Sequence, residues 1–373
     1  MNINNKTIVV SVISDLVTDQ RVHKVCTFLA ERGARVMLIG RAFSTSLPVE
    51  QRAYTSIRLH CIFKKGVLQY LEFNLRLFIR LWFHRPDLLV ANDLDTLLPN
   101  FIHSRLRKKP LVYDSHEYFT GVPELRSKPL KRKIWKSLEA FLLPRIQHAY
   151  TVNDAIREQY AKEYGISMRV VRNMPVLKPC LPCPDEYRLP DDKIILIMQG
   201  SGINPERGYE EAVAAMELLS DEYLLVIIGS GTIWNELKTQ AGRQVSGHRI
   251  RFIDRVPFEV LSCYTRQAAL GLSLDKPLSE NYRLSLPNKV FDYIHAGVPV
   301  LGSDIAAVRH IIDEYAVGWV VPEVSPEAIA ASIKQIMTDQ EGYHKIRSNT
   351  HTAAAVLHWE TEEKILEEIY NEI

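Results

Sequence analysis

Short apolar, β-branched runs alternate with stretches of helical periodicity along almost the whole chain, the pattern of parallel sheets built from βαβ units. In the first half the runs predict strands at residues 7–13, 35–39, 57–63, 87–91, 111–114 and 148–152, with helices at 20–31 and 131–146 among them. Residues 175–190 then hold five prolines and two cysteines in sixteen positions, which reads as a linker. A second series follows, with strands at 194–199, 223–228, 249–253, 270–274, 299–301 and 318–321. Its helices are expected at 208–219, 233–241, 258–267, 289–295 and 326–338. A helical, acidic tail runs from 361 to 373. The expected organisation is an N-terminal domain at 1–175, a linker at 176–190 and a C-terminal domain at 191–354, with residues 355–373 packing back on the first. Two doubly wound α/β domains joined in this way place a ligand cleft between them, at the carboxyl ends of their strands.

The stretch 67–83 is the longest apolar one, interrupted by Glu72, Arg76 and Arg80. On a helical wheel these three and Gln69 share one narrow stripe and nearly everything else is apolar, so a helix buried on most of its circumference is expected, not a membrane span. Residues 1–14 contain one lysine and a short apolar run, too little for a signal peptide.

A length of 373 residues supports two domains, and 46% hydrophobic with 24% charged residues excludes a disordered or disulfide-scaffold protein. The net charge of +2 hides an asymmetry. Residues 1–180 hold 29 Lys and Arg against 15 Asp and Glu, whereas 181–373 hold 17 against 29. Five cysteines do not read as a disulfide framework, and the lone Cys180-x-x-Cys183 has no second pair to complete a zinc site. A reduced, cytoplasmic protein is expected.

Two segments carry candidate chemistry. Gln199-Gly-Ser-Gly-Ile-Asn-Pro-Glu-Arg-Gly-Tyr leaves a buried strand, turns through glycines and opens a helix beside Arg207. A pliable loop with an arginine at a helix start suits a diphosphate; an ordinary βα turn with a solvated arginine is the alternative. Downstream, Asn281-Tyr-Arg-Leu-Ser-Leu-Pro-Asn-Lys-Val-Phe-Asp again joins a strand end to a helix, with Ser285 as its expected cap and Pro287 in its first turn. Asn288 and Lys289 open that helix, and Lys289 and Asp292 share a face. A lysine for phosphate and a carboxylate for ribose hydroxyls make a nucleotide site; a surface ion pair is the alternative. Gly229-Ser-Gly231 begins a dinucleotide fingerprint but breaks it at Trp234, so a tight turn explains it.

With these two segments in this order, the chain resembles the retaining glycosyltransferases of family 4, which have the GT-B fold of two Rossmann-like domains facing each other across a cleft. Ser14-Asp-Leu-Val-Thr-Asp-Gln-Arg-Val-His-Lys, Tyr113-Asp-Ser-His-Glu-Tyr and Val226-Ile-Ile-Gly-Ser-Gly extend the resemblance over the whole chain. It implies transfer of a sugar, with retention of configuration, from a nucleotide-diphosphate-sugar to a glycan or lipid-linked acceptor in bacterial polysaccharide synthesis. By the same resemblance Arg207 matches the lysine that grips the donor diphosphate, and Asp292 matches the second glutamate of a Glu-x7-Glu motif, which holds the ribose. His116 matches the N-domain histidine beside the transferring sugar. Gly202 stands where the family has a second phosphate-binding arginine, and Lys289 is our substitute for it. The first glutamate has no counterpart, since Leu284 occupies its place; Glu280 is the nearest carboxylate.

The expected catalytic set is therefore His116, Arg207 and Lys289, with Gly202, Arg207, Glu280, Asn288, Lys289 and Asp292 around the donor. No metal and no separate cofactor are expected. Asp93-Leu-Asp95 spells a metal-binding D-x-D, but Asp95 precedes a helix and reads as its N-cap. Arg126-Ser-Lys-Pro-Leu-Lys-Arg-Lys-Ile-Trp-Lys has six cations and no acid, and either faces the inner, anionic side of a membrane or is a solvated helix face. Nucleic acid is not expected as a partner, because no recognition module accompanies the charge. A non-hydrolysing nucleotide-sugar epimerase and a nucleotide-sugar-binding pseudo-enzyme remain alternatives.

Overall fold

The computed structural model describes residues 3–17, 19–44, 46, 48–178 and 182–373. Within them the chain falls into two units, Met1–Asn173 with Glu362–Ile373, and Met174–Thr361. Cys180 lies outside the described residues.

The first unit is a seven-stranded sheet of β1 (Thr7–Ser11), β2 (Arg35–Arg41), β3 (Thr55–Leu59), β4 (Leu88–Asn92), β5 (Leu111–Ser115), β6 (His148–Thr151) and β7 (Arg169–Val170). The order is β3-β2-β1-β4-β5-β6-β7 and every pairing is parallel. Val9 lies opposite Met37 on one side and Leu89 on the other, and β4 and β5 are buried at every position. Strands covered on both faces read as unbroken apolar runs, which is why they were visible in the sequence. The strand order reverses between β1 and β4. β7 has two residues and no apolar run, so no sequence signal marks it. β3 ends earlier than its run suggests, because the carboxylate of Glu72 accepts the N–H groups of Ile62 (2.9 Å) and Phe63 (2.9 Å) and draws them away from the sheet.

Helices α1 (Gln20–Glu31), α2 (Gly66–His84), α3 (Leu94–Arg107), α4 (Pro123–Arg126), α5 (Pro129–Leu142) and α6 (Asp154–Tyr164) belong to this unit. α1 starts where Asp19 accepts the N–H of Val22 at 3.1 Å, and α6 where Asn153 accepts that of Ile156 at 2.9 Å. α5 gives way to a 3-10 turn at Leu143–Arg145, since Pro144 has no N–H to continue it. The expectation of a largely buried 67–83 helix is corrected. Only Phe73, Leu77 and Leu81 of α2 are buried, while Leu68, Leu71, Leu75, Ile79, Trp82 and Phe83 are exposed.

In the second unit β8 (Ile194–Gly200), β9 (Tyr223–Gly229), β10 (Ile250–Asp254), β11 (Leu270–Ser273), β12 (Val300–Ser303) and β13 (Gly318–Val321) form a parallel sheet in the order β10-β9-β8-β11-β12-β13. Its helices are α7 (Tyr209–Ala215), α8 (Trp234–Gly242), α9 (Phe258–Arg266), α10 (Glu280–Leu284), α11 (Asn288–His295), α12 (Ala306–Tyr315), α13 (Pro326–Thr338) and α14 (Gln340–Ala354). Alternate residues of β9 serve two cores: Leu225 and Ile227 pack with Val213 and Ile333, whereas Val226 and Ile228 pack with Phe291 and Ile294. Here the order reverses between β8 and β11.

The last helix is α15 (Trp359–Asn371), and from Glu362 onward it and the two residues after it belong to the first unit. Tyr370 is buried 6.1 Å from the ring of Phe28, Glu362 accepts the N–H of Arg172 at 2.7 Å, and Glu368 pairs with Arg169. The linker cysteine Cys183 forms a disulfide with Cys263 of α9. This corrects the expectation of cysteines without disulfides: the pairing joins positions 80 apart in sequence, a distance no local spacing reveals.

Candidate functional site

Three side chains meet at the carboxyl ends of β8 and β11, where the order of the second sheet reverses. Open α/β sheets bind ligands at such switch points. Arg207 belongs to the loop after β8, Asp275 to the loop after β11 and Lys289 to the first turn of α11. Asp275 accepts a hydrogen bond from Nη1 of Arg207 at 2.8 Å and, on its other oxygen, one from Nζ of Lys289 at 3.4 Å. Its side chain is 1% exposed, that of Lys289 8% and that of Arg207 28%. The guanidinium carbon of Arg207 lies 4.6 Å from the ring centre of Tyr282, and the ammonium of Lys289 5.5 Å from that of Tyr209. Nε of Arg207 is buried without a hydrogen-bond partner among the described residues. Burial pushes the pKa of Arg207 down, but Asp275 outweighs it and the guanidinium titrates above its usual range. For Lys289 burial wins, and its pKa falls below normal despite Asp275. Two cations thus share one carboxylate.

Backbone geometry brings the two loops together. Gly208 has φ 75°, and a Cβ there would lie 2.3 Å from the carbonyl oxygen of Leu274. Glu206 is held at φ 69°, and its carbonyl accepts the N–H of Lys276 at 2.7 Å. Lys276 in turn pairs with Glu211 of α7. The Gly229-Ser-Gly231 turn has the bland origin expected of it: a Cβ at Gly231 would sit 2.0 Å from the carbonyl oxygen of Ile203.

The other sequence candidates distribute unevenly. Asp292 lies one turn along α11 and accepts from the amide of Gln199 at 3.2 Å, so the acid of the expected Lys289–Asp292 pair is tied to the end of β8. Gln199 is itself fixed, its Oε1 accepting the hydroxyl of Thr265 at 2.7 Å. Glu280 opens α10, whose N-cap is Ser279, and is half-buried. Asn288 is exposed at the start of α11. The residue before it, Pro287, occupies the cap position, and Ser285 instead donates to the carbonyl of Tyr282 at 2.9 Å, so Ser285 is not the cap of α11. Gly202 is half-buried, and a Cβ there would meet nothing nearer than Asn204 at 3.5 Å. Sequence reasoning missed Asp275. The available signal was an acidic residue just past the strand run 270–274, at the strand end facing the reversal.

His116 belongs to the first unit and to a separate cluster, beyond the end of β5. Its N–H donates to Asp93 at 2.8 Å; its Nδ1 lies 3.4 Å from Asp93, and its Nε2 lies 3.3 Å from Asp114 and 3.1 Å from the side-chain oxygen of Asn92. Asp114 also receives Nη2 of Arg21 at 2.7 Å and Nε at 3.1 Å. Burial of the imidazole lowers its pKa, but Asp93 and Asp114 outweigh that and raise it to about 9. Burial raises the pKa of Asp93, while Arg21 and His116 overcome burial at Asp114 and hold it low. The raised pKa favours the imidazolium form of His116 between Asp93 and Asp114.

Asp95 is not the N-cap of α3. Asp93 takes that place at φ 56°, and Asp95 lies buried in the first turn, its carboxyl driven well above the usual range by burial and then by Asp93. The basic run 126–136 is partly spent inside the unit. Arg132 donates to the carbonyl of Thr120 at 3.0 Å, Lys136 pairs with Glu163 at 3.4 Å, and Lys131 lies 5.0 Å from the ring centre of Tyr70.

Residues 184–352 match the family described as glycosyl transferases group 1, and residues 19–174 match glycosyltransferase family 4. The amylovoran biosynthesis glycosyltransferase AmsK of Erwinia amylovora is 21% identical over 143 residues, 38% of this chain and 35% of that protein. The chain thus spans about a third of that relative's length. Sucrose-phosphate synthase from Thermosynechococcus elongatus has a similar structure, with a TM-score of 0.80 at 17% identity and 99% of each chain covered. HepE of Anabaena, in complex with UDP, gives 0.73 at 14% identity over 99% of this chain and 100% of that one. WaaG, a glycosyltransferase involved in lipopolysaccharide biosynthesis, gives 0.75 at 15% identity over 97% and 99%. Identities this low speak for the fold, two parallel-sheet α/β domains of the GT-B architecture.

Proposed function

We propose that this chain is a glycosyltransferase of the GT-B type that moves one sugar from a nucleotide-diphosphate-sugar to a saccharide or lipid-linked acceptor with retention of configuration. The observation that carries the reading is the meeting of Arg207 and Lys289 on Asp275 at the β8–β11 reversal. A diphosphate arriving there competes with Asp275 for both cations. Asp292, held by Gln199 further along α11, supplies a carboxylate for the ribose hydroxyls.

The chemistry asks little of the side chains beyond this charge. The acceptor hydroxyl oxygen bonds to the anomeric carbon on the face that the phosphate leaves. The bond from that carbon to phosphate oxygen breaks, and the acceptor's proton passes to the departing phosphate. Negative charge grows on the diphosphate as it leaves, and preorganised cations stabilise it most in that state. Two side-chain cations do what a divalent ion would otherwise do, so we read the transfer as metal-independent. The nucleotide in the HepE complex supports a uridine donor, and the names of AmsK and WaaG support an acceptor in polysaccharide or lipopolysaccharide assembly.

Thermal-shift measurements with a panel of nucleoside diphosphates and their sugars, with and without chelator, test this directly. Selective binding to the native protein raises its Tm. One diphosphate is expected to stabilise the chain equally in both conditions. Stabilisation by none removes the donor site, and stabilisation abolished by chelator removes the metal-independent mechanism. NMR of the product's anomeric proton decides retention.

A further inference from the structure

The outward face of α2 is apolar and takes no part in the site. Leu68, Leu71, Leu75, Ile79 and Trp82 recur at helical spacing and are 53%, 61%, 62%, 46% and 41% exposed. Phe83 continues the row at 75%. The opposite face, Phe73, Leu77 and Leu81, is already packed into the first unit. Soluble proteins scatter exposed apolar residues singly; a row along a 19-residue helix marks a surface that something covers.

Charge identifies the cover. Residues 60–85 carry Lys64, Lys65, Arg76, Arg80 and Arg85 against one acid, Glu72. Glu72 pairs with Arg76 at 2.8 Å, leaving the other four cations in excess, and its two oxygens also accept the N–H groups of Ile62 and Phe63, two more exposed apolar residues. At its other end Arg107 of α3 lies 3.9 Å from the ring centre of Trp82, and Arg105 and Lys108 beside it are exposed. A second copy docked face to face would bring these cations against one another. An apolar row rimmed by cations instead matches the boundary between acyl chains and anionic headgroups. No helix of the described residues is long and apolar enough to cross a membrane.

We propose that α2 lies in the surface of an anionic lipid bilayer, with the Leu68–Trp82 row toward the acyl chains and the flanking arginines and lysines toward the headgroup phosphates. The sequence pointed to the basic run 126–136, where Leu130 and Ile134 are also exposed; the proposal adds to it the longer apolar row of α2.

The test uses the full chain and vesicles of phosphatidylcholine, with or without phosphatidylglycerol. The native protein is expected to sediment with the anionic vesicles. Replacing Leu71, Leu75 and Ile79 together by Gln should lower that partition by about tenfold or more, with Tm unchanged because all three are exposed. Brominated lipids should quench tryptophan fluorescence, and Trp82→Phe should remove most of the quenching. Native binding retained by the triple variant overturns the proposal, as does failure of the native protein to sediment. Loss of a native dimer in the triple variant, without vesicles, would assign the face to a second copy instead.

Discussion

The ammonium of Lys289 lies 3.4 Å from the carboxylate of Asp275, with both side chains shut away from solvent. Arg207 reaches the other oxygen of the same carboxylate, so removing it leaves two cations facing each other. Breaking a buried pair costs about 3–5 kcal/mol, because a charge is left without compensation. Asp275→Asn should therefore lower Tm clearly, and a nucleoside diphosphate should restore more of it than it adds to the native protein. An unchanged Tm would show that Asp275 does not hold the two cations.

Arg207→Ala and Lys289→Ala should each weaken diphosphate binding by roughly tenfold or more, the worth of a charge-assisted hydrogen bond. Nucleoside binding without phosphates should change far less. Calorimetric titration with both ligands separates the two. Equal losses for nucleoside and diphosphate would point to a general disturbance of the loop, and no loss would remove that residue from the site.

Gly208→Ala tests the backbone device that brings the Arg207 loop to Asp275. The new Cβ would meet the Leu274 carbonyl at 2.3 Å in a left-handed conformation. A stability loss of about 1–3 kcal/mol is expected, together with weaker diphosphate binding. Native stability and affinity in this variant would mean that the two loops approach less closely than described.

The folded protein raises the pKa of His116 from 6.5 to about 9, so its imidazolium stabilises the first unit most below pH 6.5, and that contribution is lost as pH rises through about 9. His116→Gln keeps a polar side chain but no charge. Its Tm deficit relative to the native protein should be largest near about pH 6 and shrink by about pH 10. A deficit independent of pH would show that the histidine is neutral when folded.

Much of this molecule is legible in the chain because of one physical fact. Parallel strands buried on both faces must be continuously apolar, and their helices must repeat with helical period, so β4, β5, β9 and α1 announce themselves. Arg207, Lys289 and Asp292 were also readable as candidates, Arg207 from its loop at the end of a strand run and the other two from their shared face at the start of a helix. Asp275 was not, since a single acid after a strand has no local signature. Its importance comes from positions 68 and 14 residues away in sequence. Likewise the apolarity of α2 predicted burial on most of its circumference, while among the described residues only the Phe73–Leu77–Leu81 face is buried. Local pattern determines which elements form and which side of each prefers to leave water. Which cation meets which carboxylate, and which apolar face is left without a neighbour, depends on long-range packing, and only the tertiary structure decides it.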